Sequence, residues 1–468
     1  MEAGVVGGSS QEASLPFNSE RTVNLYAVLD QQGKKPASLY SRPGNALFAT
    51  VGSGPGRGGL SAASNGRTFV VSGSELYEIT SSGVGTLRGS LLTSSGDITI
   101  AENGLQLAIC DGRDLYILTY ATNVFQRVVS ANLPSAASVV FLDGYFIVNR
   151  SLTSGIFQIS SPYDGLTWAA LDFATAESSP DSLLRVAVIF GQLWLFGDIS
   201  IEPWSNTGAA SFPFQRVNSS SRLSVGVIAP STVLELDNTA FWVGKDTNGA
   251  GIVYKADGFS PQRISTEAME LRIQAAPSIS TLKAMSYQEA GHTFYIITGG
   301  GMETALVYDV STRLWVESAY LNNFGQYELP LASALFYAFG KTLALDRLSG
   351  KIYHQSSAYY SDNGDEIARD RIFTHIFDNG NPFLIKNLTV NFETGVGNTT
   401  VTDPKAMLYL SNDGGRTFYI NYEAPMGKIG EFLTRVVFWR LGRHRQCTFR
   451  VRVTDAVKVV MTGGSFNT

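Results

Sequence analysis

The residues with the clearest potential for chemistry lie near the C-terminus. The segment Arg435–Arg452, RVVFWRLGRHRQCTFRVR, contains six arginines, one histidine and no acidic residue, in a chain whose formal net charge is −5. Its basic residues are Arg435, Arg440, Arg443, His444, Arg445, Arg450 and Arg452. Guanidinium groups bind phosphates and carboxylates through paired hydrogen bonds, so the segment can contact phosphates without reading a base sequence, or an acidic protein surface. The equally favoured alternative is a solvated face, or pairing within the chain with acids such as Asp362, Asp365 and Glu366.

A second motif lies just upstream of the basic segment. Ser411–Phe418, SNDGGRTF, matches the Asp-box pattern S-x-D-x-G-x-[TS]-[WF]. The pattern is carried by Ser411, Asp413, Gly415, Thr417 and Phe418. The aspartate can accept backbone N–H bonds across the turn, the glycine permits a positive φ, and the phenylalanine can fix the hairpin to the core. A degraded relative, SPYDGLTW, occupies Ser161–Trp168. The motif predicts a structural turn and indicates almost nothing about chemistry.

No group of residues in the sequence is typical of an enzyme. The four histidines, at positions 292, 354, 375 and 444, are too scattered for a metal site, and we expect a structural role for each. The motifs G-x-S-x-G and H-E-x-x-H are missing. Sialidases carry Asp boxes, but the arginine triad and Tyr/Glu pair that they also need cannot be assigned. We therefore predict a protein that is not an enzyme, with no catalytic residue, metal or cofactor.

The composition indicates an all-β chain. Of 468 residues, 16% are charged, below the ~25% typical of globular domains, whereas 11% are aromatic and 47 are glycine. No long stretch has the apolar spacing of three and four residues that an amphipathic helix needs. Short apolar runs separated by tight turns therefore predict many short strands.

The strand-like runs recur as weak repeats. The clearest unit is Val186–Val217, with turn signals at Gly191 and at Asn206-Thr207-Gly208. Turn markers recur at positions 73, 112, 144, 191, 238, 291 and 340. The spacing between successive markers is close to the ~40–50-residue blade period of propellers. Packing such units round a ring covers the sheet faces that each unit alone leaves bare. We predict a β-propeller of six or seven blades over residues 18–358.

The segments on either side of the repeats differ from them. Residues 1–17 are small and polar, and we predict a flexible arm. After the charged loop Tyr359–Arg371, the remaining chain carries about seven strand-like runs, with the alternation of half-buried strands in Leu388–Phe392 and Phe449–Val453. We predict a C-terminal β-sandwich-like domain over residues 359–468; the alternative is a closing blade with an extension.

Signals for secretion or membrane insertion are missing from the sequence. The first residues, MEAGVVGGSSQEASLPF, lack the basic start and apolar core of a secretory signal. No apolar run approaches the ~20 residues of a membrane helix. Cys110 and Cys447 are isolated, which suits a reducing cytosol and no disulfide framework. We expect a soluble protein without a membrane-spanning segment, and the net charge does not point to nucleic acid or anionic membrane.

Three blocks of the sequence form a recognisable combination. The first consists of Glu20–Tyr26 (ERTVNLY), with a V-N-L/M pattern, and Arg42-Pro43-Gly44. The middle block consists of Val188–Gly191 (VIFG), Ile201–Trp204 (IEPW) and Thr207–Ala209 (TGA). The terminal block consists of Ser411–Gly415, Trp439–Arg445 and Phe449–Val453. Together they resemble the tail-nozzle proteins of short-tailed, DNA-packaging bacteriophages, also called packaged-DNA stabilisation proteins. The resemblance extends over most of the chain.

The resemblance implies a non-enzymatic structural protein of the virion tail, synthesised and assembled in the cytoplasm of the bacterial host. Such proteins form a ring, expected here to be a homohexamer, below the portal and adaptor rings. They extend the DNA channel, retain the packaged DNA until ejection and seat a tail needle or plug, and tailspikes or fibres attach nearby. Double-stranded DNA would pass through without sequence-specific contacts. We expect the segment Arg435–Arg452 to face either this DNA channel or the adaptor ring.

Two other functions remain compatible with the sequence. A monomeric cellular propeller could serve as a protein-interaction platform. A tail propeller could instead bind or cleave polysaccharides, which requires an exposed cleft with paired carboxylates and aromatic platforms. Glu202, near Trp194 and Trp204, is the place to look for such a cleft. A pair of core tryptophans beside an exposed glutamate is the simpler interpretation.

Overall fold

The fold is described from a computed structural model of the chain. It describes residues 4–15, 18–30, 37–150, 154–176, 181–209, 211–218, 221–246 and 249–468. Residues 1–3, 16 and 17 of the predicted arm therefore lie outside the described residues. In the described part of the chain, strands predominate and the one α-helix is α1 (Glu267–Gln274), which is too short and too polar to cross a membrane.

The first four strands do not form a unit of their own. They are β1 (Arg21–Val23), β2 (Leu25–Leu29), β3 (Ala37–Ser41) and β4 (Gly44–Thr50). Each of them joins a sheet that is completed by segments much later in the chain, as described below.

Six four-stranded antiparallel blades follow one another along the chain. The first three are β5 (Gly56–Ser61), β6 (Thr68–Ser72), β7 (Glu75–Ile79) and β8 (Gly85–Ser90); β9 (Thr99–Glu102), β10 (Gln106–Cys110), β11 (Leu115–Thr119) and β12 (Val124–Arg127); and β13 (Ser138–Leu142), β14 (Tyr145–Asn149), β15 (Ile156–Ile159) and β16 (Phe173–Thr175). The next three are β17 (Leu183–Ile189), β18 (Gln192–Gly197), β19 (Ile201–Asn206) and β20 (Phe214–Arg216); β21 (Gly226–Leu236), β22 (Thr239–Lys245), β23 (Ala250–Asp257) and β24 (Ser260–Arg263); and β25 (Leu282–Glu289), β26 (His292–Gly299), β27 (Ala305–Asp309) and β28 (Leu314–Ser318).

A seventh blade closes the ring. After the small hairpin β29 (Tyr320–Leu321) and β30 (Tyr327–Glu328), the chain forms β31 (Ala332–Ala338), β32 (Lys341–Asp346) and β33 (Lys351–Ser356). The outermost strand of this blade is β4, which pairs antiparallel with β33. The first strand of each blade contacts the first strand of the next, and β31 contacts β5. The described residues therefore form a ring of seven blades, the larger of the two predicted numbers.

The turn positions explain why the repeats are irregular in sequence. The markers at 73 and 112 lie between the second and third strands of their blades, whereas the later five lie between the first and second strands. At these five turns both central residues have positive φ, for example 48° at Phe190 and 72° at Gly191. Such type I′ turns match the right-handed twist of a two-residue hairpin. The change of turn between the second and third blades shortens the apparent repeat there.

The C-terminal part of the chain forms a β-sandwich. Its strands are β34 (Arg369–Ile372), β35 (Ile376–Phe377), β36 (Phe383–Phe392), β37 (Lys405–Ser411), β38 (Tyr419–Pro425), β39 (Val436–His444), β40 (Gln446–Val453) and β41 (Val460–Asn467). One sheet has the order β2-β3-β41-β36-β39, and the other includes β1-β34-β40-β37-β38. Leu388, Leu408 and Phe449 lie in the apolar core of this domain, which is fully buried at these positions.

The N-terminal strands connect the two domains. β1 pairs in parallel with β28 of the sixth blade and antiparallel with β34 of the sandwich, so one continuous sheet joins the two domains. β3 pairs with β41. β4 is the first strand along the chain that completes a propeller blade. The pairings of β1 with β34 and of β3 with β41 join segments several hundred residues apart, which local patterns do not reveal.

The described part of the predicted flexible arm is also bound. The Ser9 N–H donates to the carbonyl of Trp315 at 2.7 Å. The buried guanidinium of Arg371 donates to the carbonyls of Gly4 and Gly8, each at 3.1 Å. These hydrogen bonds hold residues 4–15 against β1 and the sixth blade, where backbone groups that would otherwise be unpaired find partners.

Candidate functional site

The basic segment predicted from the sequence forms a β-hairpin of the sandwich. Its first strand, β39, is the edge strand of one sheet and pairs with β36 on one side. Its second strand, β40, lies inside the other sheet, between β34 and β37. The two strands therefore place their arginines in different environments.

Arg450 and Arg452 on β40 are bound inside the subunit. Their Nε and Nη2 atoms lie 2.5 to 2.9 Å from the carboxylate oxygens of Asp370 on β34. Tyr327, from the hairpin between the sixth and seventh blades, donates its hydroxyl hydrogen to the same carboxylate. Burial alone lowers the pKa of Arg452, but the Asp370 carboxylate raises it above its ordinary value, so the guanidinium remains charged. We call these four residues the Asp370 cluster.

The Asp370 cluster connects the propeller to the sandwich. The Asp370 side chain is completely buried, and its partners come from the propeller hairpin and from a sandwich strand. The acids suggested by the sequence bind elsewhere: Asp362 to Arg42 at 2.5 Å and Asp365 to the hydroxyl of Tyr320 at 2.9 Å. The intramolecular pairing proposed as an alternative therefore accounts for two of the six arginines, through a different acid.

The other four arginines are exposed along β39. Arg435 precedes the strand, Arg440 lies in it, Arg443 lies near its end, and Arg445 occupies the turn to β40. Within the described residues, none of the four forms an ion pair with an acidic group. At about 3.3 Å per residue, they are distributed over roughly 30 Å of strand. We call these four arginines the basic edge.

A bulge in β39 turns Arg440 outward. The register between β36 and β39 shifts between Ile385 and Asn387, and Arg440 has a φ of 60°. In a regular strand, adjacent side chains point to opposite faces, but an extra residue breaks this alternation. Trp439 and Arg440 are consequently both exposed, although they are neighbours in the sequence.

Exposed apolar side chains lie close to the basic edge in the sequence. Trp439 is 63% exposed, and the loop between β38 and β39 presents Ile429, Phe432 and Leu433, the last being 96% exposed. Large apolar groups at the surface mark sites of interaction with a partner. The sequence analysis did not identify this feature, and the available signal was the presence of three large apolar residues in a loop that also contains Gly427 and Gly430.

His444 does not belong to the basic edge. Its side chain is buried, and its two ring nitrogens lie 2.8 Å from Asn412 Oδ1 and 2.9 Å from the carbonyl oxygen of Leu441. On either side of it, Arg443 and Arg445 line an open groove of about 720 Å³. The histidine thus fixes the β39–β40 turn from which these two arginines project.

The Asp-box segment forms the turn between β37 and β38. The Asp413 carboxylate accepts hydrogen bonds from the N–H groups of Arg416 and Thr417, both at 2.9 Å, and from the Thr417 hydroxyl at 2.6 Å. The Ser411 hydroxyl donates to Asp413 at 2.7 Å and accepts from the Gly415 N–H at 2.8 Å. The hydrogen bonds from Thr417 and Ser411 hold the pKa of Asp413 well below its ordinary value. All donors belong to the turn, so its role is structural.

The remaining parts of this motif also serve packing. The ring of Phe418 lies 5.7 Å from the guanidinium carbon of Arg450. The related segment Ser161–Trp168 forms a turn between β15 and β16, in which Asp164 accepts a hydroxyl hydrogen bond at 2.6 Å. Trp168 is buried in the core beside the third blade.

Glu202 is part of the fourth blade's core. It is 2% exposed, and its carboxylate accepts hydrogen bonds from Trp204 Nε1 at 3.2 Å and Arg216 Nε at 3.1 Å. Trp194 is also buried. The place suggested for a glycan-cleaving cleft is therefore closed to solvent, and the glutamate is not the exposed residue that the simpler interpretation expected.

Two family models match the chain. The model described as "Bacteriophage P22 Gp10, beta-propeller" matches residues 1–323, and the model described as "Bacteriophage P22 Gp10, beta-sandwich" matches residues 369–468. These matches confirm the predicted all-β architecture of a propeller followed by a sandwich. They also confirm the family resemblance that was inferred from the three sequence blocks.

The other comparisons add nothing to the assignment. No curated protein matches the chain. Among solved structures, the N-terminal domain of Nup159 is similar at 11% identity and a TM-score of 0.41, over 72% of this chain and 98% of that one. The computationally designed Ika8 protein is similar at 12% identity and a TM-score of 0.39, over 76% of this chain and 100% of that one. At these TM-scores, neither similarity bears on function.

Proposed function

Because the chain belongs to the family of bacteriophage P22 Gp10, and is thus a structural protein of the phage tail, we propose that it forms the tail nozzle. In this proposal, six copies form a ring below the portal and adaptor rings and extend the DNA channel. The ring retains the packaged double-stranded DNA and seats the tail needle or plug, with tailspikes or fibres nearby. Synthesis and assembly take place in the cytoplasm of the bacterial host.

The observation that carries the finer proposal is the composition of the surface around β39. Arginine, tryptophan and phenylalanine are enriched where proteins bind one another. The four arginines of the basic edge have no acidic partner among the described residues. Exposed apolar side chains accompany them in the sequence, namely Trp439 and the loop residues Phe432 and Leu433. This mixture favours a protein surface with acidic groups, and we assign it to the adaptor ring.

A channel wall is the less favoured place for the basic edge. Each arginine that neutralises a phosphate adds to sequence-independent affinity, so a wall dense in arginines holds DNA and slows its passage. Large apolar side chains gain nothing from a phosphate backbone. Contact with DNA was the alternative expected from the sequence, and the experiment below separates it from adaptor binding.

The continuous sheet from the sixth blade through β1 into the sandwich supports the same assignment. β1 pairs with β28 on one side and with β34 on the other, and the Asp370 cluster lies beside this junction. A surface that is already rigid loses little conformational entropy when it binds. The sandwich can therefore present the basic edge to a partner in a fixed orientation relative to the propeller.

The first experiment measures mass by light scattering, on the protein alone and after mixing with its candidate adaptor ring. The proposal expects six copies, either alone or on the adaptor. A monomer that ignores the adaptor contradicts the nozzle role and returns the cellular propeller and the glycan binder to consideration.

A charge-reversal variant then tests the surface. Arg440→Glu/Arg443→Glu/Arg445→Glu is expected to abolish adaptor binding and to leave the fold intact. The control is Arg313→Glu/Lys351→Glu, two exposed basic residues of the propeller that form no ion pair among the described residues. Binding to a double-stranded DNA fragment is measured in parallel. Loss of DNA affinity with adaptor binding retained would place the basic edge in the channel instead.

A further inference from the structure

The propeller ring encloses a channel with two chemically different ends. Its cavity measures about 320 Å³ and is lined by the first strands of all seven blades and the residues that precede them. At the end where these strands begin lie Arg57, Asp97, Arg185 and Lys283. At the opposite end the lining consists mainly of apolar side chains, among them Leu60, Ile100, Val140, Val188, Leu234 and Leu335.

The polar end holds three cations and two carboxylates. Arg185 Nη1 lies 3.5 Å from Asp97 Oδ2, and the same carboxylate acts on Lys283 and Arg57. A second acid at the channel mouth, Asp111, is already bound by the hydroxyls of Thr93 and Tyr116 and by backbone N–H groups. The positive charge of this end therefore exceeds its negative charge.

Neutral groups hold Arg57 in place. Its side chain is buried, and it donates to the carbonyls of Gly96 at 3.0 Å, Gly73 at 3.1 Å and Thr93 at 2.8 Å. It also donates to the Thr93 hydroxyl at 3.0 Å. These contacts fix the guanidinium at the channel but do not neutralise it.

Lys283 has the fewest polar contacts of the three cations. Among the described residues, its ammonium group has no hydrogen-bond acceptor and no ion pair within 4 Å. Burial lowers its pKa, Asp97 opposes this effect, and the nearby Arg57 adds to it. The side chain is half-buried, so its ammonium is partly removed from water without a partner, and an anion that enters the channel would reduce the cost of this desolvation.

We propose that the propeller channel binds a small amphipathic oxyanion, with its phosphate or carboxylate group at Lys283, Arg57 and Arg185 and its apolar tail between the leucines and valines of the opposite end. The volume lies within the range of small-molecule sites, which combine an apolar lining with a few polar groups. From Lys283 to Ser286 the strand rises about 10 Å, which matches the length of a phosphate group together with a six-carbon chain. The channel is too narrow for a nucleic-acid duplex. The site goes beyond the nozzle role and does not depend on it.

The test uses calorimetric titration of the full-length protein with four probes: hexyl phosphate, hexanoate, inorganic phosphate and hexanol. We expect an amphipathic anion to bind at least about tenfold more tightly than inorganic phosphate, and hexanol to show no binding at ~1 mM. Comparison of hexyl phosphate with hexanoate decides between a phosphate and a carboxylate head.

Two variants connect the binding to the channel. Lys283→Met is expected to weaken binding of the preferred amphipathic anion by about tenfold or more, whereas the matched control Lys351→Met, an exposed lysine on β33, leaves it unchanged. Val188→Trp, at the apolar end, is expected to weaken the amphipathic anion and to leave inorganic phosphate unaffected. The proposal is overturned if neither amphipathic anion binds, if hexanol binds as tightly, or if a folded Lys283→Met protein retains full affinity.

Discussion

The two strands of the β39–β40 hairpin carry arginines of the same segment, but the arginines of one strand are paired inside the subunit and those of the other are exposed. β40 has a neighbouring strand on each side, and its Arg450 and Arg452 meet a fully buried carboxylate. β39 is an edge strand, and its arginines meet solvent. The difference teaches that the position of a strand in its sheet, and not the local density of basic residues, decides whether an arginine stabilises the subunit or remains available to a partner.

The largest expected effect on stability comes from removing the Asp370 carboxylate, which binds the buried arginines of β40. Asp370→Ala leaves Arg450 and Arg452 without their anion, and breaking a buried pair in this way costs about 3–5 kcal/mol. The free energy of unfolding, measured in guanidinium chloride, is expected to fall by this amount. Arg443→Ala is the control from the basic edge. An equal effect of the two substitutions would remove the distinction between the strands.

A second buried carboxylate sharpens the comparison through its pH dependence. Burial tends to raise the pKa of Glu317, but the charges of Arg21 and Arg272 outweigh burial and hold the pKa well below its ordinary value. Such a group contributes stability above the pKa of the unfolded chain, and this contribution is lost as the pH falls towards the folded-state pKa.

The wild-type protein is therefore expected to lose about 2 kcal/mol more unfolding free energy between pH 6 and pH 2 than the Glu317→Gln variant. Guanidinium chloride unfolding at both pH values measures the difference. Glu317→Gln starts from a lower stability at pH 6, because it removes the partner of two arginines. Parallel pH profiles for the two proteins would show that this carboxylate is not what holds the junction together.

The smallest effect on stability is expected from substitutions in the basic edge. Arg440→Ala, Arg443→Ala and Arg445→Ala, singly, should change the free energy of unfolding by no more than about 0.5 kcal/mol, as for most surface substitutions. Their effect should instead lie in the association with the adaptor ring, whose strength is expected to fall with rising salt because exposed charges are screened. A destabilisation of 2 kcal/mol or more at these positions would show that the basic edge is bound within the subunit.

The sequence predicted the architecture because its signals are local. Glycine or asparagine occupies the second central position of these type I′ turns, where a positive φ is required, so turn markers such as Gly144 and Gly291 could be found without any knowledge of packing. Alternation in Phe449–Val453 likewise indicated a strand with one buried side. The family resemblance also rested on local blocks of sequence, and the two family models confirm it.

Contacts between distant parts of the chain could not be predicted. Asp370 lies 80 residues from Arg450, and the sequence offered several acids of equal merit. The exposure of Arg440 depends on a bulge that one positive φ creates. The channel cations Arg57, Arg185 and Lys283 come from three blades, and their meeting is a property of the closed ring.

The closure of the ring by β4 has a consequence for the timing of folding. β4 is made near the start of synthesis, but its partner β33 is made some three hundred residues later. The later partners of β1 and β3, which are β34 and β41, are made later still. Contacts between such distant segments form late, because long loops must close first. A chain whose synthesis stops early has neither a closed ring nor a basic edge, so an incomplete copy lacks the surface that we assign to the adaptor ring.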